Sequence, residues 1–133
     1  MAKCFSDLSY KLTNNFSKDI KKNNGIYFTP PDTVSNTIDI IQEYSKYTNE
    51  WSGNILEPSC GSCEYVNELC KRFPKSQIKA IEYNKVIYEN IENLKTENKG
   101  LSIINTDFLK YKEDDKYDLI IGNPPYYVMK KVK

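Results

Sequence analysis

A chain of 133 residues fits one domain around one hydrophobic core and leaves little room for a second. Nineteen basic residues against 18 acidic ones give a net charge of +1, so bulk charge supplies no electrostatic footprint for nucleic acid. No apolar run approaches a membrane span and the amino terminus lacks a signal-type apolar segment, so no membrane partner is expected.

The expected setting is an intracellular, reducing compartment: the cytoplasm or, for a viral protein, the host-cell cytoplasm. Cys4, Cys60, Cys63 and Cys70 are too few and too unevenly spaced for a disulfide scaffold and read as thiols. Arg72 is the sole arginine, so bidentate reading of guanine is hard to supply here, whereas an asparagine can read adenine.

Residues 1–24 form a polar segment in which Leu8, Leu12 and Phe16 share one helical face, the pattern of a short docking helix. Asn23, Asn24 and Gly25 make a turn. In GIYFTPPDTV, Thr29 can cap a helix whose first turn accepts Pro30, Pro31 and Asp32. Val34, Ile38, Ile41 and Ser45 line that helix, which should reach Tyr47.

After a loop at 49–53, Ile55 and Leu56 form a strand closed by Glu57, then PSCGSC leads into a helix over 64–72. A strand over 77–82 follows, and a helix carrying Val86, Ile87, Ile91 and Leu94 runs to about Lys95. Leu101, Ile103 and Ile104 make a third strand, and Tyr117 to Ile121 a fourth. Strands alternating with helices specify an α/β domain with a parallel sheet and crossover helices.

In such sheets ligands bind beyond the carboxyl ends of the strands, near the point where strand order reverses. Here those ends carry Glu57, Glu82, Asp107 and Asn123. Gly61 follows Glu57 in a loop where backbone can approach a ligand. The acceptor-only carboxylate of Glu82 can take both hydroxyls of a ribose, Asp107 can accept from an adenine amino group, and Phe108 can cover the adenine face.

PSCGSCEYV has one glycine where a pyrophosphate loop wants three, and Glu57 beside it would repel phosphate. A phosphate-free nucleoside with a cationic centre fits better, which describes S-adenosylmethionine. Cys60 and Cys63 stand in C-x-x-C spacing, but with no histidine and no second cysteine pair, loop filling explains them better than a metal or redox centre.

The run DLIIGNPPYYVMKK at 118–131 places an amide, two prolines and two aromatic rings behind the fourth strand. Asn123 offers a side-chain carbonyl and Pro124 a backbone carbonyl, while Pro125, like Pro124, lacks an amide hydrogen. Two acceptors facing one amine can aim its lone pair at an electrophilic methyl group. Tyr126 can stack on the ring that bears the amine, and Tyr127 can support it.

With these motifs in order, the chain resembles adenine-specific DNA N6-methyltransferases whose cofactor half precedes target recognition. The resemblance covers about residues 25–131: NPPY at 123–126, ILEPSCGSC at 55–63, AIEYN at 80–84, NTDFL at 105–109 and YFTPPDTV at 27–34. It implies an incomplete Rossmann-like methyltransferase fold and methyl transfer from S-adenosylmethionine to adenine N6 in DNA. Asn123, Pro124, Pro125 and Tyr126 would be catalytic, and Phe28, Thr29, Glu57, Gly61, Glu82, Asp107 and Phe108 would hold the cofactor, with no metal.

NPPY is shared with methyltransferases of protein glutamine and of some RNA amines, which are the neighbouring readings; the FTPP segment favours DNA. Cys63 stands where the family commonly has glycine, which implies strain if that position is left-handed. Only seven residues follow Tyr126, so a partial methyltransferase domain over 25–133 without a target-recognition domain is expected. It would be completed by a second polypeptide or be an inactive cofactor-binding module.

Overall fold

The computed structural model describes residues 5–18, 20–21, 26–44 and 47–126. The expected turn at 23–25, Cys4, Ser45 and Tyr127 lie outside the described residues. Helix α1 spans Asp7–Asn15, and its N-cap Ser6 accepts from the Ser9 N–H at 3.2 Å. Leu12 is fully buried, with Leu8 and Phe16 packed at the edge of the core, so the predicted apolar stripe docks.

Helix α2, Pro31–Tyr44, begins with the Val34 N–H donating to the Pro30 carbonyl at 3.1 Å. It buries Val34 and Ile38. Strand β1 is Asn54–Glu57, helix α3 is Glu64–Arg72 and strand β2 is Gln77–Glu82, as their apolar patterns specify. Arg72 donates to Asp39 and Gln42 on α2, each at 2.7 Å, and to Glu68 on its own helix at 2.9 Å. The single arginine therefore joins two helices.

The long helix expected after β2 is divided into α4, Lys85–Ile91, and α5, Leu94–Glu97. Around the break, Lys95 and Thr96 N–H groups bond three residues back to the Glu92 and Asn93 carbonyls. The Thr96 hydroxyl also donates to Asn93 O at 2.7 Å, the local competition by which short polar side chains interrupt helices.

Strand β3, Leu101–Asn105, and β4, Leu119–Ile120, complete a parallel four-stranded sheet of order β3-β2-β1-β4. Ile55 lies opposite Ile78 and Leu119, and Ile78 opposite Leu101, so one row of apolar side chains crosses the sheet. It meets Val66 and Leu69 of α3, Phe73 just beyond that helix, and Ile87 and Ile91 of α4 in one core.

The fourth strand is shorter than the run 117–121 that its sequence predicts. At its start the Asp118 N–H donates to the Asn54 carbonyl at 2.9 Å, but it is the side-chain Oδ2, and not the backbone carbonyl, that accepts from the Asn54 N–H at 2.8 Å. On the opposite face Lys79 pairs with Glu113 and Asp115, which ties the segment before β4 across β2. Among the described residues no helix is long and apolar enough to cross a membrane.

Candidate functional site

Strand order reverses at β1, which has β2 on one side and β4 on the other. The carboxyl ends of β1 and β4 therefore open side by side, where an open α/β sheet accepts a ligand. Glu57 closes β1 and is 1% exposed. Its Oε1 accepts from the Ser59 N–H at 2.8 Å and from the Ser59 hydroxyl at 3.3 Å. Burial outweighs those bonds and, with Glu82 nearby, pushes its carboxyl up to about 7.

The chain then turns through Cys60 to Cys63. Gly61 has φ 52°, and a Cβ there would lie 3.3 Å from the Phe28 ring, so the flanking segment before α2 covers the turn directly. The Gly61 N–H donates to Glu82 Oε2 at 2.8 Å, and the Asn84 N–H donates to Glu82 Oε1 at 2.7 Å. Each oxygen of Glu82 thus already serves the backbone and keeps only its remaining lone-pair capacity for a ligand. Burial raises the Glu82 carboxyl as well, against the lowering by the Asn84 and Gly61 bonds.

Cys63 caps α3 at φ 67° and ψ 27° with its side chain wholly buried. The left-handed conformation is real, and the thiol enters the core. Cys60, Cys63 and Cys70 are free thiols. The neighbouring Cys63 thiol and then burial raise Cys60 well above the usual thiol range, which makes it a poor nucleophile.

Gly122, directly after Ile121, was not singled out by sequence reasoning. A Cβ there would fall 2.2 Å from Glu57 Oε1, so the absence of a side chain is what lets β4 lie beside β1. The signal was its place immediately before NPPY. Asn123 then donates from Nδ2 to Thr29 Oγ1 at 3.2 Å, and its Oδ1 accepts from the Tyr126 hydroxyl at 2.6 Å. Tyr126 is 75% exposed and held to the site by that bond.

These contacts join Phe28, Thr29, Glu57, Gly61, Glu82, Gly122, Asn123 and Tyr126 into one neighbourhood. Asp107 and Phe108 stand at the end of β3, two strands from β1. Asp107 Oδ1 accepts from Leu109 N–H at 3.0 Å, and Phe108 is 44% exposed. Pro124 and Pro125 are exposed.

Two further residues shape this rim. Tyr83, exposed beside Glu82, presents an aromatic ring at the end of β2. Asn105 donates to the carbonyls of Glu82 and Tyr83 at 2.8 and 3.1 Å and so fixes that strand end. The Tyr83 signal was an aromatic directly after a strand-terminal acid. Asn105 has no counterpart signal in the sequence.

The Eco57I restriction-modification methylase family matches residues 4–133. A modification methylase, CviBIII, of Paramecium bursaria Chlorella virus NC1A is 36% identical over 124 residues, covering 93% of this chain and 32% of that protein. The type II methyltransferase M.CvrRI of Paramecium bursaria Chlorella virus XZ-6E is 32% identical over 125 residues, covering 94% of this chain and 30% of its own length. The chain therefore spans about a third of the length of these curated relatives.

Among solved structures, a putative RNA methyltransferase of Pyrococcus horikoshii superposes with a TM-score of 0.62 at 13% identity, over 92% of this chain and 59% of that one. Coclaurine N-methyltransferase, solved with N-methylheliamine and SAH, gives 0.56 at 14% identity, over 71% and 27%. These likenesses establish the Rossmann-like methyltransferase fold.

Proposed function

The chain belongs to the Eco57I restriction-modification methylase family, and from that premise we propose that it carries the cofactor and catalytic part of a DNA methyltransferase acting on adenine N6. The observation that carries the reading is the convergence of four separate segments through three contacts: Phe28 against Gly61, Gly61 on Glu82, and Thr29 on Asn123. It supports a site in which a cofactor turn and an amide that can bind an amine share one opening.

S-adenosylmethionine supplies a methyl group on a cationic sulfur, and the residues fit it. Two buried carboxylates, Glu57 and Glu82, underlie a turn whose glycine leaves the backbone bare, a setting that favours a cation and disfavours phosphate. Glu82 receives ribose hydroxyls on its remaining lone pairs, and Tyr83, Asp107 and Phe108 form the rim for the adenine of the cofactor. Glu57 acts from beneath the turn by its charge. Phe28 and Thr29 flank the methionine end.

The target adenine leaves the DNA stack and offers its N6 amine to Asn123 Oδ1 and the Pro124 carbonyl. These acceptors orient the amine lone pair and stabilise the positive charge that develops on nitrogen. Thr29, by accepting from Asn123 Nδ2, fixes which way the amide faces. Tyr126 occupies Asn123 Oδ1 with its hydroxyl, so it swings away to admit the amine and stacks on the target ring. Pro125 stiffens the segment between them.

On this reading residues 25–133 are the methyltransferase portion, and target-sequence recognition comes from outside these 133 residues, on the same or a second polypeptide. The free thiols suit a reducing intracellular compartment. The test is transfer of labelled methyl from S-adenosylmethionine by the purified chain, alone and with a relative's recognition region added. DNA, structured RNA and a glutamine peptide are the acceptors. Labelled N6-methyladenine in DNA is the expected product; label only in RNA or peptide rejects the DNA assignment.

A further inference from the structure

The turn that follows β1 is tied to a part of the chain that no role has yet been given. Ser62 lies between the two left-handed residues, Gly61 and Cys63, and is 2% exposed. Its hydroxyl is 2.6 Å from that of Ser9, which is 1% exposed in the first turn of α1. Ser9 also bonds Glu64 Oε1. The same Glu64 oxygen accepts from the Ser6 hydroxyl at 2.7 Å and the Ser6 N–H at 3.2 Å.

Proton counting orders these contacts. A hydroxyl has one proton, and a carboxylate only accepts. Ser9 gives its proton to Glu64, so Ser62 donates to Ser9. The path from Ser62 through α1 returns to Glu64, two residues further on, at the start of α3. Two hydroxyls this deeply buried have no solvent to replace a lost partner, which makes each bond in the path sensitive to the others.

We propose that α1 is a brace for the cofactor turn, with Ser9 as its positioning residue: by fixing Ser62 it holds the Gly61 backbone in the shape that receives S-adenosylmethionine. The inference rests on the reading of residues 57–63 as the cofactor turn. Leu12 seats α1 in the core, while Ser6 and Ser9 carry its register to the turn. Docking of α1 and binding of cofactor are then linked, so each strengthens the other although Ser9 touches no ligand.

The test is calorimetry of S-adenosylmethionine on the full chain, on Ser9→Ala, on Ser62→Ala and on the double variant. Each single change should weaken binding about tenfold, the worth of one buried hydrogen bond. The double variant should lose no more than either single one, because both break the same path. In hydrogen exchange, Ser9→Ala should speed amides 61–64 while β2 keeps its protection, and saturating cofactor should slow the amides of α1 in the unaltered chain.

If the unaltered chain binds no cofactor, the underlying reading fails. If it binds and the variants bind within twofold as well, or their losses add, or Ser9→Ala lowers protection uniformly, the brace is overturned. Should Ser9→Ala not fold, exchange in the unaltered chain decides: α1 amides indifferent to saturating cofactor also overturn it.

Discussion

The turn after β1 and the segment after β4 open at the same end of the sheet but are held in different ways. Around Gly61 most contacts are partly buried and use the backbone, Gly61 to Glu82, Ser59 to Glu57 and Asn84 to Glu82, with the buried Ser62–Ser9 hydroxyl pair beside them. Around Asn123 they run between side chains, to Thr29 and to a Tyr126 that is 75% exposed, behind a strand of two residues. Backbone anchors preorganise a site for a ligand of constant shape. Side-chain anchors can be exchanged when a larger partner arrives, and the acceptor side of the proposed reaction needs that freedom.

Asn123→Ala tests the separation between the two regions most severely. It removes the acceptor proposed for the target amine and should lower methyl transfer about 10^3-fold, or about 4 kcal/mol of transition-state stabilisation. Cofactor affinity by calorimetry should stay within about twofold, because the turn is anchored to Glu82 and not to Asn123. Equal losses of binding and transfer would mean that the two regions form one cooperative unit.

A pH series probes the acidic floor of the turn. Glu57 is pushed up to about 7 by burial, so between the ordinary carboxylate range and pH 7 the folded chain holds a proton that the unfolded chain has released. Stability therefore falls as pH rises through that window, by about 3 kcal/mol in all. Glu113, lowered to about 2 against the desolvation that opposes it, acts in a separate window, where stability is lost as pH falls toward 2. Urea denaturation from pH 4.5 to 8 should show the Glu57 slope, and Glu57→Gln should flatten most of it, leaving a remainder from Glu82. Cofactor binding should strengthen over the same range as the carboxylate ionises beneath a cation.

Gly122→Ala joins the two regions sterically. Its Cβ would meet a buried carboxylate at 2.2 Å, and because Glu57 would have to swing away from its Ser59 bonds the substitution should cost about 1–3 kcal/mol in equilibrium denaturation. Combined with Glu57→Ala it should cost much less than the sum, since the clashing atoms are gone. Additive losses would show that the contact between the strand ends is not what positions Asn123.

How much of this could be read beforehand follows the same division. The strands over 54–57, 77–82 and 101–105 were legible because β-branched and apolar residues run into a terminal acid or amide, and a parallel sheet buries most of such a run in its central strands. The helix at Leu8, Leu12 and Phe16 was legible by its period, whereas its polar tie through Ser9, Ser62 and Glu64 was not, because isolated serines carry no periodic signal. That Glu82 serves Gly61 and Asn84, and that Tyr126 occupies the Asn123 carbonyl, depends on chain segments brought together by the fold. The break between α4 and α5 was hidden because apolar spacing continues through Leu94 while the interruption comes from Asn93 and Thr96.

The smallest effect is expected at Cys63, where strain and burial oppose each other. An L-residue at φ 67° costs about 1–2 kcal/mol relative to the right-handed region, and glycine does not bear that cost. The buried thiol returns a similar amount through packing in the core. Cys63→Gly loses the packing and relieves the strain, so its stability should stay within about 1 kcal/mol of the unaltered chain. Cys63→Ala loses part of the packing and keeps the strain, and should be the less stable of the two by about 1 kcal/mol. That order is the reverse of the preference for alanine over glycine inside a helix. An alanine variant more stable than the glycine variant in urea would show that the position is not left-handed and that the turn needs less support than its backbone implies.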